Sequence, residues 1–360
     1  MGQRIDLTKA YPLPAPLALF VEPTNACNFR CSICPESFPD FREQAGYFSR
    51  MDRSIWKSVV KSVTDWSIRL KALQLYFMGE PLLNPEIGQM ISDGKTIADR
   101  VEINSNASQL NEHRAAALIE SGLDCLRVSV YSTTNEGYRK QTGSPFGGHM
   151  LWSILENVKE LRRLREQTGS SRPHIVANLV TVIPGQKETF LGQWGGIADE
   201  ICVRPIHTWN SAIPELADIS AIPQVKQVCP LPFYEMFIHA NGDISACCAD
   251  WNRKLLVGNI REQSLQEIWE GDRLRALWRM QVEGRRFEVP SCKGCIAPDI
   301  HPDNMDALVP RTIPEAVPDY SESSLVKIGI GDRRYGIRIK AEGYEMGRTP
   351  AKVLEMPHAR

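Results

Sequence analysis

No stretch of this sequence is both long and apolar. The run nearest the N-terminus, residues 17–21, holds five apolar residues. A secretory core needs about 7–15 and a membrane helix roughly 20. Gly2 follows Met1, but Asp6 stands where N-myristoylation requires Ser or Thr, which excludes that anchor. An excess of either charge is also missing: 42 Lys and Arg against 43 Asp and Glu leave a formal charge of -1. With no basic stretch, the electrostatic footprint of a nucleic-acid binder is absent. Internal repeats and low-complexity tracts are lacking too, which argues against solenoids and disordered scaffolds. These absences predict a cytoplasmic globular chain of 360 residues, enough for one large domain or two smaller ones.

Against them stand ten cysteines. A large chain with no export signal has little need of disulfide staples, so reduced thiols available for metal or redox chemistry are expected. Cys27, Cys31 and Cys34 lie in EPTNACNFRCSICPES, directly after the first strand signal. Three thiolates so spaced can hold three corners of an iron–sulfur cube and leave one iron open. A structural zinc ion would want a fourth Cys or His close by, and the nearest downstream histidine is His113. Cys229, Cys247, Cys292 and Cys295 combine C-x17-C with a closing C-x2-C. Four thiolates can saturate a second cluster or a zinc ion, and the residue types alone leave both open. Cys125 and Cys202 fall on strand signals and read as buried core thiols.

Strand-like runs at 17–21, 73–77, 100–104, 125–131, 175–182 and 200–204 alternate with helical patterns near 54–66, 86–97, 110–121, 150–166 and 187–196. In the longest, Ile154, Val158, Leu161 and Leu164 form one apolar stripe that ends at Gly169. Such alternation predicts an α/β fold with a parallel sheet covered by helices. Six units suit an open partial barrel or a doubly wound sheet, with chemistry at the C-terminal strand ends in either. Past Trp209 the pattern changes. Residues 211–230 are loop-like, 233–238 and 244–247 around Asn241-Gly242 predict a hairpin, and a helix is expected over 264–281. Residues 301–322 read as an exposed connector, and the tail from 324 predicts a final hairpin around GDRRYG. The expected division is 1–210, 211–300 and 301–360.

Further motifs follow in an order that resembles the radical S-adenosylmethionine (SAM) superfamily. FMGEP, residues 77–81, resembles the segment that binds the amino group of SAM, with Met78 in place of its first glycine. NSN, 104–106, stands where the family often has Thr-Asn-Gly and contacts the ribose side. Ser129 ends the fourth strand at a polar position used near SAM. TVIPG, 181–185, ends the fifth, where backbone groups receive the adenine. The resemblance implies a partial (β/α)6 TIM barrel with a 4Fe–4S cluster on Cys27, Cys31 and Cys34. It implies SAM contacts at Phe77, Gly79, Glu80, Asn104, Ser105, Asn106, Ser129 and Ile183. The later cysteines and GNIREQSLQEIW, 258–269, resemble the twitch form of the SPASM extension. That implies an auxiliary 4Fe–4S cluster on Cys229, Cys247, Cys292 and Cys295 in a small hairpin-plus-helix domain, with a C-terminal extension beyond it.

The chemistry so implied is cleavage of SAM to a 5'-deoxyadenosyl radical that abstracts hydrogen from an unactivated carbon. The auxiliary cluster would take the second electron of an oxidation. The four-ligand spacing is most similar to 2-deoxy-scyllo-inosamine dehydrogenase and related enzymes of sugar and aminocyclitol chemistry. Relatives with this frame epimerise a carbon, for which Cys248 could return a hydrogen atom. Others modify peptides, usually behind a recognition domain for which the 26 residues before Cys27 are too few. The expected partners are a sugar or aminocyclitol substrate and a flavodoxin- or ferredoxin-type reductant, without membrane or nucleic acid. Substrate contacts are expected at Tyr131, Arg204, His207 and Trp209. Arg204 would orient or deprotonate a hydroxyl, His207 would take the proton, and Trp209 would stack on a ring or cap the barrel.

Overall fold

Short apolar runs form the first six strands of the computed structural model: β1 Ala18–Val21, β2 Ala72–Gln74, β3 Val101–Ser105, β4 Cys125–Val130, β5 His174–Leu179 and β6 Glu200–Val203. The structure describes residues 6–47, 49–144, 148–181, 183, 185–203, 209, 225–309 and 337–340. Each of the six strands pairs in parallel with the next. After α1 (Leu7–Ala10) and α2 (Phe41–Ala45), the crossovers are α3 Arg53–Asp65, α4 Ile87–Ile97 and α5 Glu112–Glu120. The pair α6 Asn135–Thr142 and α7 Met150–Gln167 follows, and then α8 Lys187–Trp194. Asp52, Asn111 and Thr134 start α3, α5 and α6 by accepting backbone N–H bonds at their N-termini.

On the other side of β1, β7 (Glu235–Ile238) pairs in parallel, with Leu19 opposite Met236. β8 (Asp243–Ser245) and β9 (Leu256–Asn259) continue antiparallel. β10 (Ile337–Lys340) runs antiparallel along β6; the rest of the expected final hairpin lies outside the described residues. The strand order β10-β6-β5-β4-β3-β2-β1-β7-β8-β9 leaves two unjoined ends, so the barrel is partial, as six units imply. No helix among the described residues is long and apolar enough to cross a membrane.

Alternation along the strands separates two faces. Leu19, Leu73, Ile103, Val128, Ala177 and Ile201 join the core shared with the helices, including the α7 stripe of Ile154, Val158 and Leu161. The opposite face carries Phe20, Gln74, Glu102, Arg127 and Asn178, all buried. Burial of polar groups is tolerated where they pair, and Arg127 Nε lies 2.9 Å from Glu102 Oε2.

The expected helix over 264–281 is two helices, α9 Leu265–Trp269 and α10 Asp272–Val282. Gly271 breaks it: the residue is extended, and a side chain there would stand 2.9 Å from the Glu267 carbonyl. The break brings Trp269 edge-on to Trp278 at 5.0 Å. Both indoles then donate to carbonyls of earlier segments, at Leu13 and Pro232. α11 (Ala297–Ile300) follows the last cysteine pair.

Candidate cofactor and substrate site

The three-cysteine loop leaves the C-terminal end of β1 and is pinned from several elements. The N–H groups of Arg30 and Ser32 donate to the carbonyls of Thr142 and Gln141, the last turn of α6. Asn28 accepts from Asn106 Nδ2 at 2.9 Å and donates to Ser108 Oγ at 2.8 Å. Trp209 Nε1 donates to the Ile33 carbonyl at 2.9 Å, which sets that indole on the cysteine loop. Phe29, Tyr131 and Tyr138 form an edge-to-face trio, and the Tyr131 hydroxyl bonds the Cys31 thiol. Burial, with the neighbouring thiols, holds Cys31 well above the ordinary thiol range and pushes Cys34 up to about 12. Buried thiols that resist ionising alone do so on a metal, because the thiolate is the ligand.

FMGEP follows β2 and lies against this loop. Gly79 has no room for a side chain: a Cβ would meet the Thr24 carbonyl oxygen at 2.1 Å and that of Ala26 at 2.7 Å. Close approach of two backbones is what requires the glycine. Glu80, 2% exposed, accepts from Leu82 N–H at 3.0 Å, Ser105 Oγ at 2.7 Å and Asn106 N–H at 2.7 Å. A carboxylate offers about four acceptor positions, so one stays available to a ligand's donor. Burial raises its pKa against these three bonds. Asn104 Oδ1 accepts from Ser129 Oγ on the next strand at 3.3 Å, and Ile183 N–H donates to Thr181 Oγ1 at 3.1 Å. The Phe77 ring stands 5.4 Å from His239. These residues all stand at or just beyond the C-terminal ends of β2 to β5. Arg204 and His207 lie outside the described residues.

Sequence reasoning missed a buried polar chain that starts at Glu22. Glu22 is fully buried and accepts from Met78 N–H at 3.2 Å, Ala240 N–H at 3.1 Å and the Tyr47 hydroxyl. Tyr47 meets His239 Nδ1 at 3.1 Å, and His239 Nε2 meets Ser245 Oγ at 2.8 Å. Ser245 donates to Asp250 Oδ2 at 2.7 Å. The chain thus joins the FMGEP loop to the loop that carries Cys247. Burial pushes His239 down to about 4 and Glu22 upward. The one hint in the sequence is a carboxylate set directly on the end of an apolar strand.

Cys229, Cys247, Cys292 and Cys295 line one cavity, and Cys248 lines it as well. None of the ten cysteines is joined in a disulfide. Burial and the other three thiols hold Cys229 well above its ordinary range, and burial pushes Cys292 and Cys295 up to about 12. Four cysteine thiols around one cavity are a donor set that fits the corners of an iron–sulfur cube. Cys125 and Cys202 pack with Val176 in a small separate apolar group, the core role expected of them.

The model of the radical SAM superfamily matches residues 21–189, and that of the SPASM iron–sulfur cluster-binding domain matches 229–296. The chain carries a radical SAM domain followed by a SPASM domain. Its cofactors are therefore SAM with a 4Fe–4S cluster, and an auxiliary iron–sulfur cluster in the SPASM region. Among curated relatives, this radical SAM enzyme is 22% identical over 277 residues to the S-adenosyl-L-methionine-dependent 2-deoxy-scyllo-inosamine dehydrogenase of Niallia circulans. That match covers 76% of this chain and 90% of the relative. The crystal structure of BtrN in complex with AdoMet and 2-DOIA superposes with a TM-score of 0.52 at 18% identity, over 78% of this chain and 92% of that one. Streptococcus suis SuiB bound to precursor peptide SuiA gives 0.57 at 15%, over 74% and 67%. Both structures show the shared fold.

Proposed function

We propose that this radical SAM enzyme oxidises a small polyhydroxylated ring of the sugar or aminocyclitol class, with the auxiliary cluster as electron acceptor. The observation that carries the reading is the inner face of the sheet. Gln74, Glu102, Arg127, Ser129, Asn178 and Glu235 are buried there although polar. Phe20 stacks on Phe237 at 4.5 Å and meets Tyr76 edge-on at 5.5 Å. Fixed donors, acceptors and aromatic faces on one side of the sheet suit a compact ring bearing hydroxyls or amines. A peptide substrate would ask for an open groove. Similarity to an inosamine dehydrogenase over most of its length supports the same class.

On this reading Cys27, Cys31 and Cys34 hold the SAM-binding cluster, and Cys229, Cys247, Cys292 and Cys295 hold the auxiliary one. The remaining acceptor position of Glu80 takes the SAM amino group. Phe77 and Gly79 shape that pocket; Asn104, Ser105, Asn106 and Ser129 line the ribose side; Ile183 receives the adenine. When bound, the cofactors supply a 5'-deoxyadenosyl radical and a one-electron acceptor. Phe29, Tyr131 and Tyr138 exclude water around the cysteine loop, so Tyr131 acts there more than on substrate. Arg204 or His207, one and four residues past the end of β6, takes the hydroxyl proton. The division into 1–210, 211–300 and 301–360 separates barrel, auxiliary domain and extension, with a flavodoxin- or ferredoxin-type reductant as partner.

Anaerobic reconstitution with SAM, dithionite and a panel of aminocyclitols and sugars tests this. One ketone per 5'-deoxyadenosine is expected, and no 5'-deoxyadenosine at all would sink the enzyme reading. A second reading, epimerisation, is favoured by Cys248, a partly exposed fifth thiol on the auxiliary cavity. Solvent deuterium in the product, lost together with the product in Cys248→Ala while SAM cleavage persists, would establish that alternative.

A further inference from the structure

Arg286 is fully buried and lines the auxiliary cavity alongside Cys292 and Cys295. Its Nη1 donates to the Cys295 carbonyl at 3.0 Å. Among the described residues, Nε and Nη2 have no hydrogen-bond partner, and the carboxylate oxygen Asp299 Oδ2 is 3.8 Å from Nη2. Asp299 turns its other oxygen to the N–H groups of Val225 and Lys226. An ion pair alone therefore does not account for the guanidinium, because a buried charge with unmet donors is costly. Gln281, also fully buried, lines the same cavity. Its Oε1 accepts from Cys229 N–H at 2.9 Å, and its Nε2 reaches Cys292 Sγ at 3.9 Å.

Both groups favour negative charge on sulfur. The Arg286 guanidinium stands in the same cavity as Cys292 and Cys295, and the Gln281 amide turns an N–H toward Cys292 Sγ. Net charge and hydrogen bonds to sulfur are among the levers that set a cluster's reduction potential. We infer that Arg286 and Gln281 are positioning residues that raise the reduction potential of the auxiliary cluster, fitting it to accept an electron. The inference rests on the reading that the four cysteines hold a redox cluster. A buried cation beside four thiolates stabilises the more negative, reduced form. The amide does the same through its N–H on sulfur.

The test uses the full chain with Cys27→Ala, Cys31→Ala and Cys34→Ala, so that only the auxiliary cluster is reconstituted. Its midpoint is read by anaerobic redox titration followed by electron paramagnetic resonance. Arg286→Gln should shift the midpoint negative by more than about 59 mV, a tenfold change in a one-electron equilibrium. Arg286→Lys, which keeps the charge, should recover most of that shift, and Gln281→Leu should lower the midpoint on its own. Unchanged midpoints in iron-replete Arg286→Gln and Gln281→Leu overturn the inference. If Arg286→Gln fails to load iron, an unchanged midpoint in Gln281→Leu together with a negative shift of more than about 59 mV in the charge-keeping Arg286→Lys overturns it equally. A parent that binds no cluster sinks the reading of the four cysteines, and the inference with it.

Discussion

One methyl group at Gly79 should silence SAM cleavage while the auxiliary cluster stays in place. A Cβ there meets the Thr24 carbonyl oxygen at 2.1 Å, the Ala26 oxygen at 2.7 Å and the Thr24 carbonyl carbon at 2.8 Å, where ordinary contact begins at 3.4 Å. The first overlap alone, 3.4 less 2.1, requires the two backbones to part by about 1.3 Å. No rotamer relieves it, because both neighbours are main chain of the segment entering Cys27. Overpacking of this kind costs about 1–3 kcal/mol. Parting the loops also loses the bond from Glu80 N–H to the Ala26 carbonyl, worth about 0.5–1.5 kcal/mol. The sum, about 1.5–4.5 kcal/mol, lowers the population of the closed loop pair by roughly 10- to 1,000-fold. Equilibrium dialysis of SAM and the 5'-deoxyadenosine yield with dithionite read the loss directly. The control is Gly192→Ala in α8, where a Cβ meets nothing within 4 Å and helix propensity favours the change. Wild-type SAM affinity and turnover in Gly79→Ala would refute the reasoning.

Glu80→Gln places an amide donor among three donors, and each charge-assisted bond lost is worth about 1.5–3 kcal/mol. SAM affinity should fall more than tenfold by dialysis, and an unchanged affinity would contradict the assignment of its fourth acceptor position. His239, depressed from 6.5 to about 4, contributes stability that is present above pH 6.5 and is lost as pH falls toward 4. That depression amounts to about 3 kcal/mol. Glu22, raised, has the opposite sign: its contribution is lost as pH rises above the ordinary carboxylate value. Glu22→Gln should therefore steepen the acid loss of thermal stability between pH 6.5 and 4.5, and parallel melting curves in the two proteins would contradict the pairing.

What was legible before the fold was known is what geometry forces into short segments. A cluster's thiolates must converge within a few ångströms, so Cys27, Cys31 and Cys34 share one loop and Cys292 and Cys295 share one turn. Apolar alternation on the helix-facing side is strict enough to place the six parallel strands within a few residues. The same pattern misled over 264–281, since Leu265, Ile268 and Trp269, and again Leu274, Leu277 and Trp278, each keep a helical i, i+3, i+4 spacing on either side of the break at Gly271. α6 was invisible for another reason. It serves the cysteine loop through the backbone carbonyls of Gln141 and Thr142, which no side-chain pattern encodes.

The groups that act on the cofactors from outside obey no such constraint. Glu22 and Asp250 lie 228 positions apart, yet Tyr47, His239 and Ser245 connect them through hydrogen bonds. Arg285 and Arg286 are adjacent and chemically identical in the sequence. Arg285 is exposed and pairs with Glu283 and Glu288, whereas Arg286 turns inward to the cavity of four thiols. An electric field reaches further than a coordination bond, so the residues that supply it can come from any element the fold brings near. Ligand spacing therefore identifies which cofactors this family binds. What distinguishes one member's redox chemistry from another's lies in buried charges such as Arg286, which only the folded chain reveals.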